Sequence, residues 1–119
     1  MEKNFGKHLI IDAHKIKEQK LKNLQAIKNL LEELPKRFDM NPLGKAVVKK
    51  ISTDYYPDWG ISGFIMLYES HISIHTWPEE KYMAMDIYSC KNFSDKEIIK
   101  YLKKYFGCEI MKTKTITRG

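Results

Sequence analysis

Two neighbouring stretches of the chain alternate strictly, and a four-residue turn separates them. From His71 to Trp77, the residues His71, Ser73, His75 and Trp77 fall on one face, and Ile72, Ile74 and Thr76 on the other. From Tyr82 to Ser89, Met83, Met85 and Ile87 share a face. A strand has a side-chain period of two, so each stretch offers one face to a core and keeps one apart. Pro78-Glu-Glu-Lys81 between them closes a hairpin that pairs Trp77 with Tyr82. The same register sets Ser70 against Ser89, with Cys90 one step away. A chain built around this hairpin must form a sheet covered on one side, with a polar and aromatic face on the other.

The other segments supply the cover. Leu9-Ile10-Ile11, within Lys7 to Asp12, suits a buried strand. Leu21, Leu24, Ile27, Leu30, Leu31 and Leu34 make one helical stripe, which predicts a helix from Lys17 to Leu34, stopped by Pro35. Asn41 to Gly44 reads as loop, Ala46 to Thr53 as strand, Asp54 to Gly60 as an aromatic turn-rich loop, and Ser62 to Tyr68 as strand. Ser94-Asp-Lys-Glu97 is a capping box, flanked by Phe93 and Ile98 at the positions of a hydrophobic staple. Ile98, Ile99, Leu102 and Phe106 form the inner stripe of that helix, and Gly107 is its cap. Cys108 to Thr117 reads as a last strand. The order β-α-β-β-β-β-α-β predicts an α+β two-layer sandwich, an antiparallel-rich sheet with two helices on one face. A second copy packing sheet to sheet would cover the other face.

The 119 residues suit a single domain. No apolar run approaches the roughly 18 to 20 residues of a membrane span, and Met1 to Gly6 has no signal-peptide core, so cytoplasm and no membrane partner are expected. Cys90 and Cys108 do not make a disulfide framework. The net charge of +6 comes from 21 Lys and Arg against 15 Asp and Glu, but only Arg37 and Arg118 are arginine. Residues 1–69 carry 12 basic and 9 acidic residues, and residues 70–119 carry 9 and 6, so each part is +3. An even, lysine-based charge describes a solvated surface rather than a nucleic-acid footprint.

The segment Glu69-Ser-His-Ile-Ser-Ile-His-Thr-Trp-Pro-Glu79 concentrates the chemistry. Serine with histidine suggests an activated hydroxyl. A hydrolase lacks support, since there is no Gly-x-Ser-x-Gly elbow. A metal held by His71, His75 and Cys90 lacks support too, because four strand residues put the two imidazoles roughly 13 Å apart.

This segment resembles the processing site of the small prokaryotic S-adenosylmethionine decarboxylase proenzymes, the pyruvoyl-dependent enzymes of polyamine and spermidine synthesis. The resemblance extends to Gly6-Lys-His-Leu9, Trp59-Gly-Ile-Ser-Gly63 and Asp86-Ile-Tyr-Ser-Cys90. It implies self-cleavage between Glu69 and Ser70, giving a chain of residues 1–69 and a pyruvoyl-bearing chain of residues 70–119. The pyruvoyl group, derived from Ser70, would form a Schiff base with the substrate and serve as electron sink, with no metal and no pyridoxal phosphate. Ser62 and His75 match processing residues, Cys90 a proton donor, and Glu79 the carboxylate that holds a ribose. Tyr56 lies near the place of an aromatic that stacks on adenine, and Trp77 and Asp12 are further candidates for substrate contact. Asp12 and Glu79 are the local acids that would set the field for a cationic substrate.

Two points stay open at this level. Asp12-Ala-His-Lys-Ile-Lys17 lacks the aromatic pair and the Cys-Asp that follow the acidic residue in the family. Arginine or ornithine is therefore an alternative substrate to S-adenosylmethionine, and an inactive regulatory homologue a third reading. Ser70 and His75 are also five strand residues apart, roughly 16 Å. Either the chain bends sharply at Glu69-Ser70, or His75 serves a site shared with another subunit of a homodimer; the second is favoured.

Overall fold

Burial follows the alternation. In the computed structural model, which describes residues 5–53, 56–109 and 111–119 (side chains of 52–53 and 56–58 excepted), Ile72, Ile74 and Thr76 of one strand are buried beside Met83, Met85 and Ile87 of the next. The elements are β1 (Lys7–Ala13), α1 (Glu18–Lys22), α2 (Leu24–Arg37), β2 (Val47–Thr53), β3 (Tyr56–Leu67), β4 (Ser70–Trp77), β5 (Tyr82–Ser89), α3 (Asp95–Phe106) and β6 (Met111–Thr117). A 3-10 turn at Pro78–Glu80 joins β4 to β5, and Lys81 closes it in the left-handed conformation. The resulting register pairs Trp77 with Tyr82 and His71 with Tyr88, as the hairpin spacing predicts.

The strands form one six-stranded antiparallel sheet in the order β2-β3-β4-β5-β1-β6. Four consecutive strands make a meander, and β1 then lies between β5 and β6. The helices lie on one face. Ile27, Leu30, Leu31 and Leu34 of α2, with Ile98, Leu102 and Phe106 of α3, share a core with Leu9, Ile11, Ile65, Ile72 and Ile87 of the sheet. Each such side chain contributes about 1.5–3 kcal/mol by leaving water. The serine half of the capping box forms as its spacing predicts: the Ser94 hydroxyl accepts from Glu97 N at 3.2 Å. Gly107 ends α3 at φ 64°.

Three local expectations are corrected. The first helix is two. Asn23 leaves helical geometry (φ −83°, ψ 101°) and its side chain accepts from Ala26 N at 3.0 Å, so it caps a second helix where the stripe runs on. Leu24, counted in that stripe, is exposed in the first turn of α2. Pro35 does not stop the helix; it is buried inside α2, and Phe38 N still donates to Leu34 O at 3.1 Å. A proline forfeits its own amide bond, and here the bonds beyond it close the last turn. Finally, Tyr56 to Gly60 belongs to β3 rather than to a loop. Gly60 permits this, since a Cβ there would lie 2.0 Å from the Thr76 carbonyl oxygen.

The second face of the sheet is open, as the sequence implies. By register it carries Val47 of β2, Phe64 and Met66 of β3, Trp77 of β4 and Ile116 of β6. These five are 38–58% exposed.

Candidate active site

The turn between β3 and β4 carries the first group of reactive atoms. Leu67 pairs with Ser70, so Tyr68 and Glu69 make the turn, and Tyr68 N donates to Asn41 O at 3.1 Å. The β4–β5 register brings Cys90 to the start of β4. Cys90 N donates to Ser70 Oγ at 3.2 Å. The Cys90 thiol donates to the Glu69 carbonyl oxygen at 3.1 Å, and the Phe5 carbonyl oxygen lies 3.4 Å from the same sulfur. One S–H cannot serve both carbonyls fully. The Tyr88 hydroxyl answers the second by donating to Phe5 O at 2.7 Å, which leaves the thiol to Glu69. That hydroxyl is 3.7 Å from the sulfur. Its contact with Cys90, and then desolvation, hold its pKa above the ordinary phenol value, so it stays a donor. Glu69, Ser70, Ser89 and Cys90 line a cleft of about 260 Å³.

The second group lies at the far end of β4. Ser62 of β3 and His75 of β4 face each other across the ladder, with Ser62 Oγ 2.9 Å from His75 Nδ1. Both line a cleft of about 290 Å³ with Gly60 and Trp77. The Trp77 ring lies 6.2 Å from His75 and stacks on Tyr82 at 5.1 Å. The Tyr82 hydroxyl donates to Asp12 Oδ1 at 2.6 Å. Desolvation, and then the Asp12 carboxylate, push the Tyr82 pKa up to about 12. Glu79 is exposed in the 3-10 turn that follows Trp77. Tyr56 is in β3, and its side chain lies outside the described residues.

Between the two groups, the open face holds a polar cluster. His8 Nε2 is 3.1 Å from Asp86 Oδ1, and the Ser73 hydroxyl donates to Asp86 Oδ2 at 3.4 Å. The His71 ring lies 6.2 Å from His8 and 5.7 Å from Tyr88. Desolvation, then the His8 charge, lower the His71 pKa against the opposing pull of Asp86. Among the described residues, no three His, Cys, Asp or Glu side chains converge as a metal site requires.

The structure therefore brings Glu69, Ser70 and Cys90 together, and Ser62, His75 and Trp77 together, with Asp12 linked to Trp77 through Tyr82, but not the two sets. β4 runs without interruption from Ser70 to Trp77, so no bend returns His75 to Ser70 within one chain. Phe5, Tyr88, Tyr82 and His14 were not singled out from the sequence. Tyr88 was within reach of the register argument, being two residues before Cys90. The Phe5 and Tyr82 contacts depend on how β1 docks beside β5, which no local pattern encodes.

The fold and these groupings define a sheet-and-helix protein with a serine, a thiol and a peptide carbonyl gathered at one turn. Residues 7–119 match the family model described as S-adenosylmethionine decarboxylase, and the chain belongs to that family. Relatives include an S-adenosylmethionine decarboxylase proenzyme of Clostridium botulinum (strain Langeland), 36% identical over 118 residues, with 98% of this chain and 97% of the relative covered. The proenzyme of the same name from Thermodesulfovibrio yellowstonii is 30% identical over 116 residues, covering 97% of this chain and 82% of the relative. The crystal structure of the adenosylmethionine decarboxylase of Aquifex aeolicus VF5 has the same fold, with a TM-score of 0.82 at 24% identity, covering 99% of this chain and 93% of that one.

Proposed function

We propose that this protein is a self-processing S-adenosylmethionine decarboxylase, cut between Glu69 and Ser70 into residues 1–69 and 70–119. The observation that carries the reading is the Cys90 thiol on the Glu69 carbonyl oxygen, with Ser70 Oγ held by the Cys90 amide. A donor aimed at a carbonyl stabilises the negative charge that grows there when a nucleophile adds. Ser70 Oγ adds to the Glu69 carbonyl carbon, and the amide becomes an ester with a free Ser70 nitrogen. Loss of the Ser70 α-proton then breaks the Cβ–O bond and releases Glu69 as a carboxylate. The remaining residue takes up water and loses ammonia, which leaves a pyruvoyl group at position 70.

Ser70 fits that role because it opens a strand at the wall of a cleft and its oxygen is already hydrogen-bonded. The pyruvoyl carbonyl supplies an electron sink for loss of carbon dioxide from an amine-bearing substrate. Cys90, at the same turn, delivers the proton that replaces the lost carboxylate. Glu79 and Trp77, with Tyr56, are assigned to the nucleoside. The product serves as aminopropyl donor in spermidine synthesis. Free thiols at Cys90 and Cys108 fit a reducing cytoplasm, and no described helix is long and apolar enough to cross a membrane.

The Ser62–His75 pair joins Ser70 only if a second copy supplies it. Support comes from the unbroken β4 and from the open face, whose apolar residues Val47, Phe64, Met66, Trp77 and Ile116 mark an interaction surface. The working unit is accordingly a homodimer with its sheets face to face and each site shared. The relatives described above carry the name of the S-adenosylmethionine enzyme, which favours that substrate over arginine or ornithine.

The test is complementation. Ser70→Ala and His75→Ala should each fail to cut when expressed alone. Co-expression should restore cutting of the His75→Ala chain, seen as two fragments on a denaturing gel, and should release carbon dioxide from carboxyl-labelled S-adenosylmethionine. No cutting on co-expression would sink the shared site. Release from arginine or ornithine alone would sink the substrate.

A further inference from the structure

The sequence places Asp12 among the candidates for contact with a cationic substrate. The geometry points to another role. Asp12 of β1 accepts a hydrogen bond from the Tyr82 hydroxyl at 2.6 Å, which uses one of its carboxylate oxygens. Lys112 faces it from β6 and Ala84 from β5. The Tyr82 ring stacks on His14 at 4.8 Å with 27° between planes, and on Trp77 at 5.1 Å with 29°. Trp77 is the member of this row that lines the cleft with Ser62 and His75.

We propose that Asp12 is a positioning residue: by anchoring Tyr82 it locks the His14–Tyr82–Trp77 stack and so fixes the indole that walls the Ser62–His75 cleft. This rests on the reading above, which assigns Trp77 to the nucleoside of the substrate. An indole free to tilt would offer a poorer stacking surface to a purine, so the anchor acts on substrate binding. Tyr82 is suited to the task because its hydroxyl remains a donor at every working pH. A short hydrogen bond to a carboxylate is about twice as strong as a neutral one, and it restrains both side chains. The row also includes His14, whose imidazole stacks on the Tyr82 ring.

Conservative variants separate the two roles. If Asp12 positions Tyr82, then Asp12→Ala and Tyr82→Phe should raise KM alike, by roughly 5- to 20-fold with kcat little changed, the pattern of lost binding. Asp12→Asn, which keeps an acceptor oxygen, should stay within about threefold of the parent. If Asp12 acts by its charge on the substrate, Asp12→Asn would be as poor as Asp12→Ala, and Tyr82→Phe would be near the parent; that result overturns the proposal. Self-cleavage needs no nucleoside, so the three variants should cut at the parental rate. A parallel loss of cutting would mean a general structural role and would also overturn it.

A second arm needs no enzyme activity. In uncut Ser70→Ala protein with Trp59→Phe, Trp77 is the remaining tryptophan. Acrylamide should quench its fluorescence more in Asp12→Ala and Tyr82→Phe, but not in Asp12→Asn. Equal quenching in all would refute the anchor even if the assigned reaction stands, and unequal quenching would uphold it even if the reaction fails.

Discussion

Thr76 sits between His75 and Trp77 and points the other way, into the layer under the helices, where it is 3% exposed. Its hydroxyl donates to Leu21 O in α1 at 2.9 Å and accepts from Ile61 N in β3 at 3.0 Å. The Leu21 carbonyl belongs to the last turn of a short helix, so it has no partner within that helix. One side chain thus satisfies two buried backbone groups from two other elements. Thr76→Val keeps the shape and removes the hydroxyl. Each buried group left without a partner costs about 1–3 kcal/mol, so the loss should total about 2–6 kcal/mol. Against the roughly 5–15 kcal/mol that holds a typical domain folded, that is a large share. With a urea slope of about 1.5 kcal/mol per molar, the unfolding midpoint should fall by about 1–4 M. The measurement belongs in the uncut Ser70→Ala chain at one protein concentration, because association would also shift the midpoint. Thr76→Ser keeps both hydrogen bonds and loses a methyl, at about 1 kcal/mol. A valine variant within about 0.5 M of the parent would refute the account, as would a serine variant as weak as the valine one.

Two further outcomes are expected. A thiol that served only as proton donor would leave self-cleavage intact in Cys90→Ala. The contact with Glu69 O predicts slower cutting instead, by roughly 10- to 100-fold, since a thiol is a weaker donor than those whose removal costs about 10²–10³; gel time courses measure it. His71 has a lowered pKa in the folded chain, for desolvation first and the His8 charge second. The unfolded chain therefore binds more protons near pH 6, so stability should fall as pH drops from about 7 through the ordinary histidine value of about 6.5 towards the folded one. Urea midpoints across that range should flatten in His71→Gln, and an unchanged slope would refute this.

Much of the fold was legible because its signals are local. Alternation marked the buried face of β4 and β5, and the four-residue turn set their register, so Cys90 could be placed beside Ser70 in advance. Ser94, Glu97 and Gly107 marked the ends of α3 through backbone groups within one turn of each. The division of the first helix is not legible for a related reason. The apolar stripe runs unbroken past Asn23, while the break depends on a single side-chain cap to Ala26 N. Pro35 misled in the opposite sense, because packing within the core holds α2 together beyond it.

By itself, the sequence determined which side chains share a face, where the hairpin turns, and that Ser70, Cys90, His75 and Ser62 occur at the spacing of one family. A period of two or of 3.6 is carried by neighbouring residues, so it survives without knowledge of the rest. The tertiary structure decided what β1 lies against. That one choice puts Phe5 O under Tyr88 and Cys90, Asp12 under Tyr82, and His8 beside Asp86. It is set by burial summed over the whole sheet, to which no single stretch holds the key. The structure also decided that β4 is straight, which keeps Ser70 and His75 at opposite ends of one chain.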